Sequence, residues 1–470
     1  MNSMFPRFAL IPLVVCAVHA GAQEMPVGRI SDEAHGIYDN DLLSPEFHRG
    51  RREALRAKLP EGGVAVFFAN PVRKRSNDVY YEYHQDPDLY YLTGLTEPDA
   101  VLLVFKEPRQ FSDGLHNELL VVRERDPKRE VWEGIRLGAD GARDVLGVEK
   151  TMTGKELLTV DLPWRDADKV YISSTKENLL NDPHNSADLS DLMDRVDATL
   201  PKGTAKGDED LERWTAELRQ KKLPEELALM RRAIEITCEA QKDLMRKLKP
   251  DMTEYQTEAI VEYVFKSSGA EHEGYPSILG GGAHSCVLHY ETNRGPVRDG
   301  DLLLSDVGAE YHGYTADVTR TMPANGHFTP DQRKIYDLVL AAQEAGIAAS
   351  RAGRAFRDPH NAAWAVVVKG LKGLGIVKDE SEVKRYFMHG TSHYLGLDVH
   401  DAGLYGPLEA GQVITVEPGI YIAENSPCDP RWWGIGVRIE DDILITDGEP
   451  ENLSISAPRT AEEVEALMAK

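Results

Sequence analysis

Gly300-Asp301-Leu302-Leu303-Leu304-Ser305-Asp306-Val307-Gly308 and Gly411-Gln412-Val413-Ile414-Thr415-Val416-Glu417-Pro418-Gly419 are far apart in the chain yet read alike. Each runs glycine, polar residue, apolar pair, two further residues, a carboxylate, any residue, glycine. An apolar run closed by an acid and a glycine turn reads as a short strand. Each copy is followed by a further strand bearing a second acid, Asp317 in ADVTRT and Glu440 in GVRIEDDILIT. A single acid before a glycine turn is commonplace; its recurrence with a second acid predicts two related half-domains that face each other. They would bring four carboxylates to one centre.

Asp306 and Asp317 lie eleven residues apart, and a turn near Tyr311-His312-Gly313 folds their strands into a hairpin. Cross-strand neighbours sit ~5 Å apart. Four carboxylates so close cannot all stay ionised without cations. Either some are protonated or a pair of divalent ions ~3.5–4 Å apart is bound. Residues 388–403, MHGTSHYLGLDVHDAG, add His389, His393 and His400. His393 reads as the nitrogen ligand, and His389, next to glycine, as its support. Oxygen donors with one imidazole favour Mn²⁺, with Fe²⁺, Co²⁺ or Zn²⁺ as substitutes. Arg438, two residues before Glu440 on the same strand face, is placed to orient carboxylates by bidentate hydrogen bonds. Taken alone, His289 after LGGGA and His400 in DVHD read as structural histidines, and Tyr421 in GIYI as a strand aromatic.

At 470 residues the chain exceeds one ordinary core, so two domains are expected. Hydrophobic residues at 41% and charged residues at 28% are globular values. A formal net charge of −24 argues against nucleic acid or an anionic membrane as partner. GGGA at 280–283 lacks the Lys-Ser/Thr of a phosphate-binding loop. Arg7, the apolar run Phe8 to Val18 and Ala20-Gly21-Ala22 read as a cleavable secretory signal over 1–22, which implies export to the periplasm or beyond. No other segment is apolar and long enough to span a bilayer, so no membrane association is expected after cleavage. Cys238, Cys286 and Cys428 are then an odd number of ordinary, partly buried thiols.

Residues 45–215 read as one α/β domain: a basic helix in FHRGRREALRAKL, then GVAVFFAN, AVLLVF, NELLVVRE and KVYISS as strands of one sheet. LPKGTAKGDEDLE marks a boundary, continued by a linking helix. Residues 220–460 form the second domain, with Pro224 in a helix's first turn, a capping box at Thr253 and Gln256, and helices near 330–350 and 358–374. All the candidate chemistry lies there.

The ordered motifs LHY, DVGAEYHGYTADVTRT, HGTSHYLGLDVHD, VEPGIYI and GVRIEDD resemble those of the pita-bread metallopeptidases. RSNDVYYEYHQDPDLYYLTGLTEPDAVLL and VWEGIRLG resemble the aminopeptidase P and prolidase branch, so the likeness spans essentially the whole mature chain. It implies a creatinase/aminopeptidase P-like α/β domain followed by a pita-bread domain with a pseudo-twofold repeat. It implies two divalent metal ions, Mn²⁺ in this branch, on Asp306, Asp317, His393, Glu417 and Glu440. It assigns catalytic or substrate-contacting roles to His289, His389 and His400, with Glu417 shuttling the proton, His289 and His400 stabilising the tetrahedral intermediate, and Arg438 as a supporting arginine. The activity implied is release of the N-terminal residue from peptides with proline second, by a dimer or tetramer. Cleavage of Xaa-Pro dipeptides alone is the alternative, and a non-catalytic peptide-binding protein a further one, disfavoured because all five ligand positions are intact. One departure is Tyr90-Tyr91, where some aminopeptidase P chains have an aromatic pair with tryptophan.

Overall fold

Each of the four runs read as strands before residue 200 joins one mixed sheet in the computed structural model. That structure describes residues 40–469 apart from 163, 165, 166, 168, 174, 175, 183, 184 and 201–207. The signal reading over 1–22 falls outside the described residues. The sheet comprises β1 (Gly63–Phe68), β2 (Val101–Phe111), β3 (Gly114–Val122), β4 (Thr151–Thr153) and β5 (Lys169–Ile172), in the order β4-β3-β2-β1-β5. β1 is antiparallel to β2 and parallel to β5. Every residue of β1 is buried, as a continuous apolar run covered on both faces must be. The short β4 carries no periodic signal and was not among the expected strands.

The basic helix α1 (Pro45–Lys58) turns one of its arginines inward. Fully buried Arg52 forks onto Glu118 of β3 (Nε–Oε2 2.8 Å, Nη2–Oε1 3.0 Å) and donates to the Leu92 carbonyl (2.8 Å). Burial of a charge is tolerable here because its donors are so fully matched. The linking helix α2 (Glu209–Arg219) ends on buried Arg219, which reaches Asp88 (2.8 Å), Asp398 (2.8 Å) and Asp401. One guanidinium thus ties the first sheet's surroundings to the loop that carries His400.

The second half of the chain contains α3 (Pro224–Lys247), α4 (Glu254–Ser267), α5 (Pro330–Ala349) and α6 (Asp358–Gly373), close to where the sequence puts them. Its first strand group is β6 (Ile278–Gly281), β7 (Leu302–Val307) and β8 (Val318–Pro323), with β7 antiparallel to both neighbours. The second is β9 (Val413–Val416), β10 (Gly419–Ile422), β11 (Ile435–Arg438) and β12 (Asp441–Leu444), paired antiparallel as β9 with β12 and β10 with β11.

The repeat is present, but its copies differ. Asp306 pairs with Thr319 inside an unbroken ladder. In the other copy Val416 pairs with Asp441 and Gly419 with Arg438, so Glu417-Pro418 and Ile439-Glu440 face each other in a gap between two ladders. Pro418 has no N–H to give, which accounts for the break. A helix-borne glutamine braces each copy. Gln241 of α3 donates to the carbonyl of Ser305 (3.1 Å), and Gln343 of α5 to that of Val416 (3.4 Å). Each carbonyl belongs to the residue just before the acid. β8 joins the halves, since the Glu440 N–H donates to the Thr319 carbonyl (3.1 Å).

The expected hairpin turn is a two-residue one. Tyr311 pairs with Tyr314, and His312 (φ 50°) and Gly313 (φ 82°) both have the positive φ such a turn requires. The Tyr90 hydroxyl donates to the His312 carbonyl (3.0 Å). At the hairpin's base a Cβ on Gly308 would lie 1.8 Å from the Ala316 carbonyl oxygen. That atom is backbone between the two aspartate strands and has nowhere to go. Gly308→Ala is therefore expected to destabilise the protein by about 3 kcal/mol or more, read as a lowered urea midpoint. An unchanged midpoint would show that the hairpin base is not rigid.

Cys238 is fully buried rather than partly so, while Cys286 and Cys428 are half-buried, and all three are free. Burial pushes the Cys238 and Cys286 thiols up to about 11. Among the described residues no helix is long and apolar enough to cross a membrane.

Candidate metal centre

Asp306 lies near the end of β7, Asp317 precedes β8, and Glu417 and Glu440 occupy the gap between the second pair of ladders. These acids, His393 and Arg438 line one cavity of about 360 Å³, together with His289, His389 and His400. All nine residues singled out in the sequence therefore meet in one place.

Asp317, His393 and Glu440 can each put one ligand atom within 4.8 Å of the others. Asp306 is drawn aside by Arg438, and Glu417 leans toward His393 (3.5 Å) and His389 (3.6 Å). Burial pushes the carboxyls up, reinforced by their neighbours' charge. Glu440 lies well above the ordinary range through burial and the charges of Asp317, Glu417 and Asp306, and Glu417 is raised to about 7. Asp306 is also raised by burial, although Arg438 opposes this. Burial disfavours a charge on His393, yet its contacts with Asp317 and Glu417 prevail and raise it to about 9. Burial works the same way against Asp317, but His393 holds it below the ordinary value.

Three features fit these residues to divalent cations. The first is mutual repulsion among buried acids, which a cation would remove. The second is Tyr275, whose hydroxyl lies 2.6 Å from Oδ1 of both Asp306 and Asp317. One phenol has one proton, so the second short contact needs a proton on a carboxyl. The third is His393, which places Nδ1 3.0 Å from the Tyr394 carbonyl and turns Nε2 toward the acids. A ring N–H on a carbonyl with the other nitrogen free is how a ligating imidazole is held.

The surroundings of these ligands form a closed hydrogen-bond chain. Arg438 donates through Nη1 to the Tyr421 hydroxyl (2.8 Å), through Nε to Thr319 (3.1 Å) and through Nη2 to Asp306. It meets Asp306 with one nitrogen, so the bidentate clamp expected of it is absent: Thr319 and Tyr421 compete for its remaining donors. The Tyr421 hydroxyl lies 2.8 Å from His389 Nε2, and His389 Nδ1 lies 2.6 Å from the Gly390 carbonyl. Burial, with Arg438 nearby, lowers His389 to about 4, so it is neutral. A carbonyl only accepts, which puts the ring proton on Nδ1 and makes Tyr421 the donor to Nε2. Thr319 in turn donates to Glu440 (2.5 Å).

Tyr421 is therefore part of this scaffold, not merely a strand aromatic. Tyr275 and Thr319 were missed. Thr319 stands two residues from Asp317 on one strand face, a signal the spacing contained; Tyr275 in EGYPS has none. His289 and His400 are exposed on the rim, His400 packed edge-on to His393 with ring centroids 4.2 Å apart. Asp401 beside it is gripped by Arg219 and Lys222 (2.5 Å).

Residues 228–447 match Metallopeptidase family M24, and residues 48–163 match Aminopeptidase P, N-terminal domain. The chain is 40% identical over 444 residues to the Xaa-Pro aminopeptidase of Escherichia coli strain K12, covering 91% of this chain and 98% of that one. Among solved structures, proline aminopeptidase P II from Yersinia pestis superposes with a TM-score of 0.82 at 38% identity, covering 91% of this chain and 99% of that one. Aminopeptidase P from E. coli with the inhibitor Pro-Leu gives a TM-score of 0.81 at 39% identity, covering 91% and 98%.

Proposed function

We propose, from the premise that this chain belongs to metallopeptidase family M24, that it uses two divalent metal ions to release the N-terminal residue from peptides whose second residue is proline. It is an Xaa-Pro aminopeptidase, a metal-dependent hydrolase. The observation that carries the reading is the convergence of four acids, one imidazole turned toward them and three further histidines on a single cavity.

Asp306, Asp317, His393, Glu417 and Glu440 would hold the metals, and the oxygen-rich set supports Mn²⁺. Bound divalent ions supply Lewis-acid polarisation of a carbonyl and acidify water. Glu417 moves the proton at its carboxylate. Its side chain is 18% exposed against 11% for Asp306 and 7% for Asp317, so it is the ligand acid best reached from the cavity. His289 and His400 on the rim donate hydrogen bonds to the oxygen as its charge develops. Arg438 keeps Asp306 in place, and His389, locked by Tyr421 and Gly390, forms a rigid wall. The leader over 1–22 supports export, and the family resemblance supports a homo-oligomer.

A dipeptidase would need a closed wall just beyond the proline. Here an open groove adjoins the cavity and shares His389, Gly390 and Ser392 with it, so there is room beside the site for longer peptides. The test is hydrolysis of Arg-Pro-Pro against Ala-Pro by metal-stripped protein with and without added Mn²⁺. Mn²⁺-dependent release of arginine from the tripeptide, with Ala-Pro poorly cut, is expected. Cleavage of the dipeptide alone would replace this reading by that of a prolidase.

A further inference from the structure

Next to the metal cavity, and sharing His389, Gly390 and Ser392 with it, lies an open groove of about 740 Å³. Its walls are aromatic, from Phe356, Trp364, Phe387 and Tyr405, and its edge carries two exposed cations, Arg357 and Lys384. Neither makes an ion pair within the described residues. The nearby acids are engaged elsewhere: Asp358 with Arg354 (2.9 Å), and Glu380 as acceptor of the Trp364 Nε1–H (2.9 Å).

An unbroken run of rings connects groove and cavity. Trp364 meets Phe387 (5.8 Å), Phe387 meets His389 edge-on (5.5 Å), and His389 meets Tyr421 (5.5 Å), which is bonded to Arg438. His360 stiffens the wall, with its Nδ1 2.9 Å from Thr391 Oγ1 and its ring 5.4 Å from Phe387.

We propose that this groove binds the part of the peptide beyond the proline, and that Arg357 and Lys384 select peptides with acidic residues there. The inference rests on the aminopeptidase reading. An enzyme that removes one residue needs room for one residue ahead of the scissile bond, whereas the remainder has no fixed length. An open cleft that adjoins the site across His389, Gly390 and Ser392 therefore suits the leaving side. Its size is within the ~300–1,000 Å³ of clefts that hold small ligands. Aromatic walls give sequence-tolerant contact with a peptide, and rim cations discriminate by charge and steer encounter.

The experiment uses metal-loaded full chain and C-terminally amidated peptides Ala-Pro-Gly-Gly-Gly in which one glutamate or one lysine replaces the third, fourth or fifth residue. Ala-Pro-Gly amide is the control. Glutamate is expected to beat lysine at one position or more by roughly three- to tenfold in kcat/KM, acting through KM. The double variant R357E/K384E is expected to reverse that preference while cutting the control within about twofold of wild type. Equal rates for glutamate and lysine peptides at all three positions overturn the subsite, as does a preference that survives in the variant. If wild type leaves the control uncut, the aminopeptidase reading itself fails, and the subsite with it.

Discussion

Asp317→Ala abolishes turnover of Xaa-Pro peptides, with kcat/KM falling by at least ~10³, or about 4 kcal/mol of transition-state stabilisation. The reason is the place of Asp317 in the cluster. It is one of the three residues whose ligand atoms already lie within 4.8 Å of one another, and it shares Tyr275 with Asp306. Without it neither the shared cradle nor the contact that aligns His393 survives. The same substitution leaves the metal-free fold stable to within ~1 kcal/mol, because it removes repulsion as well as hydrogen bonds from a crowded set of acids. Metal content and turnover are measured together, with thermal unfolding as control. A variant that kept most of its activity while loaded with metal would remove Asp317 from the site.

Stripping the metals abolishes activity and lowers the melting temperature, and the loss of stability grows as pH rises from 5 to 9. Metal bound at a hundred times its Kd stabilises the folded state by ~2.7 kcal/mol. The pH trend follows from which state holds the protons. Glu417 is raised from its ordinary 4.5 to about 7 in the folded chain, so the metal-free fold holds a proton that the unfolded chain has released. Stability is lost as pH rises through that window. His393 is raised from 6.5 to about 9, so its contribution is fully present below 6.5 and is lost as pH rises toward 9. Both shifts act in one direction. Metal binding, by contrast, requires these groups deprotonated and strengthens as pH rises. The difference in melting temperature between loaded and stripped protein therefore widens from pH 5 to pH 9. A gap that stays constant or narrows would mean that Glu417 and His393 are not proton-binding partners in the metal-free fold.

The strands before residue 200 were legible because β1 and its neighbours are continuous apolar runs, whereas β4 is only three residues long and has no period to read. Helices α3 and α4 announced themselves at their starts, by Pro224 and by the capping residues Thr253 and Gln256. Gln256, for instance, accepts from the Thr253 N–H (2.9 Å). The hairpin at His312-Gly313 was visible in its turn residues, since two consecutive positive φ values leave few residue types to choose from. The site was legible to an unusual degree because strand period and a doubled motif place each acid on its strand without reference to the rest of the fold.

What the sequence by itself determined, then, was the two-domain α/β plan and the nine residues that meet at the cavity. The plan and the four acids follow from local pattern, through apolar runs, turn chemistry and acids repeated at fixed spacing, whereas His289 and His400 entered only through the family resemblance. Only the tertiary structure decided what those residues do to one another. That Arg438 reaches Asp306 with one nitrogen, that Tyr421 donates to His389, and that Tyr275 joins two aspartates are contacts between residues 31 to 132 positions apart. The break at Pro418 and the open groove beyond His389 likewise come from how elements pack. Hydrogen bonds act over ~3 Å in space and leave no period along the chain.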